Sequence, residues 1–311
     1  RLDDPISKYI PEFKNPRVLK SFNYSDTTWT GEPARSEITI RQLLTHTSGI
    51  GYGFIDSDER FRLIYGKAGI VDAFTTERLT LAENIKKLAA MPLHFHPGEK
   101  YQYSEGLDVL GYFIEVVSGM PLDQFFKTRI FDPLGMNDTR FYLPEEKAGR
   151  LVAVQYKNKS GNWDRFTAVG FDQDYPIKGA KSYFAGGAGL SSTVKDYATF
   201  LQMYLNGGEL NGFRLLSRTT VDIIMGNQTG TVYGMPNEYY GLAFGVLTKA
   251  GQDKGGLLSE GTFQWGGYFN TQYFADPQEK IIGLIFKQTQ GPVMDETGWK
   301  FRQLVGQTID D

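Results

Sequence analysis

Three apolar stretches toward the C-terminal end, residues 239–248 (YYGLAFGVLT), 261–275 and 280–287, read as successive β-strands, and only the turn DPQEK separates the last two. So short a link restricts them to antiparallel neighbours, since a parallel pair needs a crossover of a dozen or more residues. The chain must therefore build at least part of its core on an antiparallel sheet.

Upstream the apolar period is helical. Ile40, Leu43 and Leu44 share one face, with Thr39 as N-cap and Gly49 as the stop. Residues 76–91 place Leu81, Ile85 and Leu88 inward, and residues 105–119 place Leu107, Leu110, Ile114 and Val117 inward before ending at Gly119. PLDQFFKTRIFDPLGM gives a further helix and turn, and residues 150–185 alternate loosely between strand and loop. A glycine-rich entry, GGAGLSSTVK, leads into a helix closed by Gly207 and Gly208, and ETGWKFRQLVGQTI closes the chain as a helix. The first 35 residues carry four prolines and read as turns with at most brief helix. The expected fold class is α/β in the α+β sense: an antiparallel sheet flanked by helices plus an α-rich lobe. A single domain over 1–311 would divide into a mainly helical lobe, about 36–230, and strands with a terminal helix, about 235–311.

Composition narrows the chemistry. With no cysteine among 311 residues, thiolate metal sites, disulfides and cysteine nucleophiles are excluded within them. Thirty-three basic against 36 acidic side chains give a net charge of −3, which offers no electrostatic case for nucleic acid. No apolar run approaches the roughly 18 residues of a bilayer span. The opening RLDDPISKYIPEF lacks Met and is expected to follow an earlier segment; the compartment stays open.

Several constellations could carry chemistry. Gly266 and Gly267, behind Trp265, interrupt a strand pattern, which marks either a bend or a close approach of backbone or ligand. Tyr103, in YQYSE, sits where a Pro-Gly loop meets a helix start: a half-buried aromatic, or a general base if a cation lies beside it. Ser192 and Lys195 have Ser-x-x-Lys spacing, but Thr193 and Asp196 resemble a capping box, and the serine pair is read as a helix start. His94 and His96 lie two apart with no third ligand in view, so no metal is expected. His46 is read as capping the end of the first helix, because no G-x-S-x-G elbow supplies it with a nucleophile.

Taken in order, LDDPISKYIPEF, ITIRQLLTHTSGI, PGEKYQYSEGLDVLGYFIEVVSG, GGAGLSSTVKDYATFLQMYLNGGELNG and FQWGGYFNTQYFADP resemble the serine β-lactamase-like superfamily, above all its family VIII carboxylesterase branch, which is similar to class C β-lactamases and penicillin-binding proteins. The resemblance covers essentially the whole chain. It implies a β-lactamase/transpeptidase-like fold and an acyl-enzyme mechanism without a cofactor. Tyr103-Ser104-Glu105 maps onto the tyrosine motif and Trp265-Gly266-Gly267 onto the third motif, with the backbone N–H of Tyr268 as half of an oxyanion hole. The nucleophilic Ser-x-x-Lys would lie upstream of LDDP, so the N-terminal part of the fold is expected to be missing and this chain alone to be inactive toward esters. Its partners would be a small ester or β-lactam-like substrate and, for the face left open, its own N-terminal segment or another copy. Trp265 in place of a lysine favours an uncharged ester over a β-lactamase or D-alanyl-D-alanine carboxypeptidase substrate. Glu105 replaces an asparagine and is expected to face solvent or pair with a cation, the lysine of the missing motif being the natural candidate, since an unpaired buried carboxylate is costly. A non-catalytic binding member is the reading from a different class.

Overall fold

The computed structural model describes residues 1–167, 172–255, 258–291 and 296–309, so residues 168–171 of the loosely alternating stretch lie outside it. The chain forms two compact units, one of Arg1–Phe126 with Gly170–Leu190 and one of Lys127–Val169 with Ser191–Asp311.

In the first unit, two 3₁₀ turns lead into an antiparallel hairpin of β1 (Arg17–Phe22) and β2 (Trp29–Pro33). The sequence reading of turns missed this hairpin. Only Val18 of β1 is buried, so the strand carries no alternating apolar signal, and prolines bracket the pair. Helix α1 (Ile40–Leu44) starts where expected: Thr39 accepts the Gln42 N–H while Gln42 reaches back to the Thr39 N–H. It ends before Gly49, because the Thr45 hydroxyl bonds back to the Arg41 carbonyl and His46 turns left-handed at φ 53°. Helix α2 (Glu59–Ala68) follows. Helix α3 (Leu81–Ala89) begins later than residue 76, at a capping box of Thr80 and Glu83. Helix α4 (Gly106–Ser118) stops at left-handed Gly119, as read, but its inner face is offset. Val117 is exposed, whereas Asp108, Val109, Leu110 and Gly111 are buried, which draws a carboxylate into the core. Helix α5 (Leu122–Phe126) packs on α4.

In the second unit, helices α6 (Val194–Leu205) and α7 (Arg218–Met225) precede the sheet, and α6 ends at left-handed Gly207 and Gly208. Two of the three expected strands are each divided. Residues 239–248 become β3 (Glu238–Tyr240) and β4 (Gly245–Leu247), reversed where the Gly241 N–H meets the Phe244 carbonyl. Residues 261–275 become β5 (Phe263–Gly266) and β6 (Thr271–Asp276), followed by β7 (Ile281–Phe286). The sheet is antiparallel throughout, in the order β7-β6-β5-β4-β3. Leu201 of α6 packs with Phe244, Val246, Phe263 and Ala275 on one face. On the other, Phe274 and Leu247 meet Phe301 and Val305 of the terminal helix α8 (Thr297–Gly306). Cover on both faces explains why residues 280–287 are continuously apolar rather than alternating.

Candidate active site

The residues singled out by sequence fall in both units: Tyr103 and Glu105 in the first, Trp265, Gly266, Gly267 and Tyr268 in the second. Each group has its own local construction.

Tyr103 lies in the extended segment just before α4, half-buried between two rings. Tyr52 stacks nearly parallel to it at 5.7 Å and 7°, and the His46 ring lies at 4.5 Å. His46 does not cap α1. Its Nδ1 accepts the Ser104 backbone N–H at 3.2 Å, at the entrance to α4, which leaves the ring proton on Nε2. Burial holds the imidazole far below its ordinary range, at about 3, so it is neutral. The segment Gly49–Phe54 supplies Tyr52. Gly49 is left-handed and a Cβ there would run into the Phe95 carbonyl, while a Cβ at Gly51 or Gly53 would collide with the carboxylates of Asp56 or Asp72. Those carboxylates take the loop's donors: Asp56 accepts the Tyr52 N–H at 2.9 Å and Asp72 the Phe54 N–H at 2.6 Å. Sequence reasoning missed Tyr52 and Asp72; the two-residue spacing of Gly49, Gly51 and Gly53 was the available signal of a backbone wrapped closely around something.

Of the two settings expected for Glu105, the solvent-facing one is excluded, and no cation among the described residues takes up the other. Glu105 is 1% exposed, faces no solvent, and its carboxyl meets the carboxyl of Asp72 rather than a cation. Burial, then Asp72, pushes it well above the usual carboxylate range. The chain accepts this because a protonated acid carries no charge to desolvate.

In the second unit the two glycines belong to a tight return between β5 and β6. The Gly267 N–H bonds the Thr271 carbonyl at 2.7 Å, Asn270 is left-handed at φ 64°, and a Cβ on Gly267 would lie 2.3 Å from the Thr271 hydroxyl. Trp265 packs edge-on against Tyr240 at 5.0 Å. Tyr268 sits in the turn, half-buried, with its carbonyl accepting from Gln290. A cleft of about 450 Å³ beside Trp265 is lined by Glu238, Gln264, Gln272, Trp299 and Arg302, and no serine or threonine is among its lining residues.

Ser192 is a helix-entry residue. Its hydroxyl is 2.7 Å from that of Thr139, and Lys195 is exposed. Thr193 accepts the Asp196 N–H, but the Asp196 carboxylate turns to the Asp138 N–H and the Thr139 hydroxyl, so the box is only half formed. The two histidines diverge: His94 pairs with Asp56 at 2.9 Å and stacks on Phe61, while His96 Nδ1 accepts the Arg35 N–H. No cluster among the described residues could hold a metal ion.

Comparison with known proteins bears on the family and the fold. The Beta-lactamase family profile matches residues 1–307. The chain is 31% identical to esterase EstB of Burkholderia gladioli, over 93% of this chain and 71% of that protein. It is 29% identical to lovastatin esterase of Penicillium rubens, over 94% and 74%. Among solved structures, EstCE1, described as a hydrolase with promiscuous acyltransferase activity, aligns at TM-score 0.79 with 25% identity, over 98% of this chain and 77% of that one.

Proposed function

The chain belongs to the Beta-lactamase family, and from that premise we propose that it is the larger part of a serine hydrolase acting on carboxylic esters through an acyl-enzyme. The observation that carries the ester preference is Trp265. At the position where a lysine would anchor a substrate carboxylate, an indole packs on Tyr240, so the motif itself offers no ammonium to a charged acyl group. The esterase relatives support the same reading.

In this mechanism the nucleophile and its lysine belong to a Ser-x-x-Lys segment outside residues 1–311, since Ser192 is committed to Thr139 and Lys195 points to solvent. Tyr103 relays the serine proton as general base and returns it to the leaving alcohol. The Tyr268 N–H, on the glycine turn, donates to the oxyanion, a contribution whose loss costs on the order of 10²–10³ in rate. Residues 1–311 alone are inactive toward esters.

The test is turnover of a nitrophenyl ester against nitrocefin by the protein carrying that segment. Faster ester turnover is expected, and Tyr103→Phe should lower it by about 10²–10⁴. Faster nitrocefin turnover, or an undiminished Tyr103→Phe variant, contradicts the reading.

A further inference from the structure

The two carboxyl groups buried beneath the tyrosine motif stand in unequal surroundings. Asp72 accepts the Phe54 N–H through Oδ2 at 2.6 Å, the environment of a carboxylate. No well-formed hydrogen bond from an N–H or hydroxyl reaches either oxygen of Glu105 or Oδ1 of Asp72, although the Gly53 N–H lies near both carboxyls and favours their charged forms. Two ionised carboxylates cannot share such a space, and one proton placed between them satisfies one oxygen of each and removes one of the two charges. The surrounding groups include no cation among the described residues: they are Tyr52 and Asp56 from the 49–58 segment, Tyr65 from α2, Asp108 from α4 and Tyr183 from the 170–190 segment.

We propose that Glu105 and Asp72 hold one proton between them, Glu105 donating and Asp72 accepting, and that this bond fastens the Gly51–Phe54 loop to the Tyr103–Glu105 turn. Two further contacts run in parallel with it. The Glu105 N–H donates to the Gly51 carbonyl at 3.1 Å, and Tyr52, inside the fastened loop, stacks on Tyr103. Glu105 and Asp72 are therefore positioning residues for Tyr103, a role that rests on the proposed function; the shared proton itself does not.

The sign of the linkage follows from the raised value of Glu105. The folded state keeps a proton that the unfolded chain releases above about pH 4.5, so stability falls as pH rises from there until the pair titrates, and is flat beyond. Glu105→Gln, a neutral mimic of the protonated acid, removes that slope.

The experiment follows unfolding and the tyrosine near-ultraviolet dichroism against pH, without substrate, for wild type, Glu105→Gln and Asp72→Asn, together with infrared spectra of protein labelled with ¹³C-glutamate. Asp108→Asn serves as control, because Asp108 also titrates in the interior. We expect a protonated glutamate band persisting at about pH 7 and absent from Glu105→Gln. The variant-to-wild-type ratio of folding constants should rise about tenfold per pH unit above about pH 4.5, and this rise should survive in the Asp108→Asn background. Glu105→Gln should keep the neutral-pH tyrosine dichroism. Should Glu105→Gln not fold, Asp72→Asn must still lower the glutamate titration, having removed the neighbouring charge. Absence of the band, a difference independent of pH, or failure of both amide variants to fold would overturn the proposal. These readouts are made on the free protein, so they stand apart from the outcome of the Tyr103→Phe assay.

Discussion

Asp108 lies inside the first unit, where burial pushes its carboxyl up to about 7, against donation from the Gly187 N–H. A raised carboxyl means that the folded state holds a proton the unfolded chain has lost, so this group costs stability increasingly from about pH 4 to about pH 7. Asp108→Asn should remove that slope and stabilise the protein near neutral pH by on the order of 1–3 kcal/mol, measured as unfolding free energy against pH. His46 acts at the other end: held neutral down to about 3, it withdraws stability as pH falls from about 6.5 toward that value. Tyr103 and Trp265 were legible as candidates because each stands in a short motif. Tyr52, Asp72 and the true setting of Glu105 were not, since their contacts join segments tens of residues apart and no local pattern records a carboxyl facing a carboxyl.

Among the elements, α3 and α4 make separable claims. The Thr80 hydroxyl accepts the Glu83 N–H and the Glu83 carboxylate answers, so Thr80→Ala should cost about 1 kcal/mol in chemical denaturation without altering the tyrosine dichroism. Gly186 lets the 185–190 segment lie on α4: an added Cβ would fall 2.4 Å from the Leu107 carbonyl, a backbone atom with no rotamer to yield. Gly186→Ala should therefore destabilise by about 1–3 kcal/mol, more than a typical surface change. The starts of α1 and α6 were readable because Thr39 and Thr193 announce themselves chemically, whereas α3 was begun at residue 76, ahead of its true cap at Thr80. The offset face of α4 was not: Val117 matches the apolar period but lies on the exposed side, while Asp108 is drawn in by backbone donors from the Gly186–Gly187 segment.

For the whole chain, the antiparallel sheet and flanking helices were legible from strand spacing and helical period, whereas the return at Gly241–Phe244 was hidden inside an apolar run and that at Gly267–Asn270 was marked only as a bend or a close approach at Gly266 and Gly267. Strand β7 is the edge of that sheet among the described residues, and Ile281, Ile282, Leu284, Ile285 and Phe286 give it no charged guard. Residues 1–311 alone should self-associate with rising concentration in light scattering, and Ile285→Lys should reduce this. The central claim is an acyl-enzyme whose serine is not Ser192. Its most direct test is fluorophosphonate labelling of the protein with its upstream coding sequence, followed by intact-mass measurement and peptide mapping. One adduct on a serine of a Ser-x-x-Lys segment outside residues 1–311 is the predicted result; an adduct on Ser192, or none at all, would contradict it.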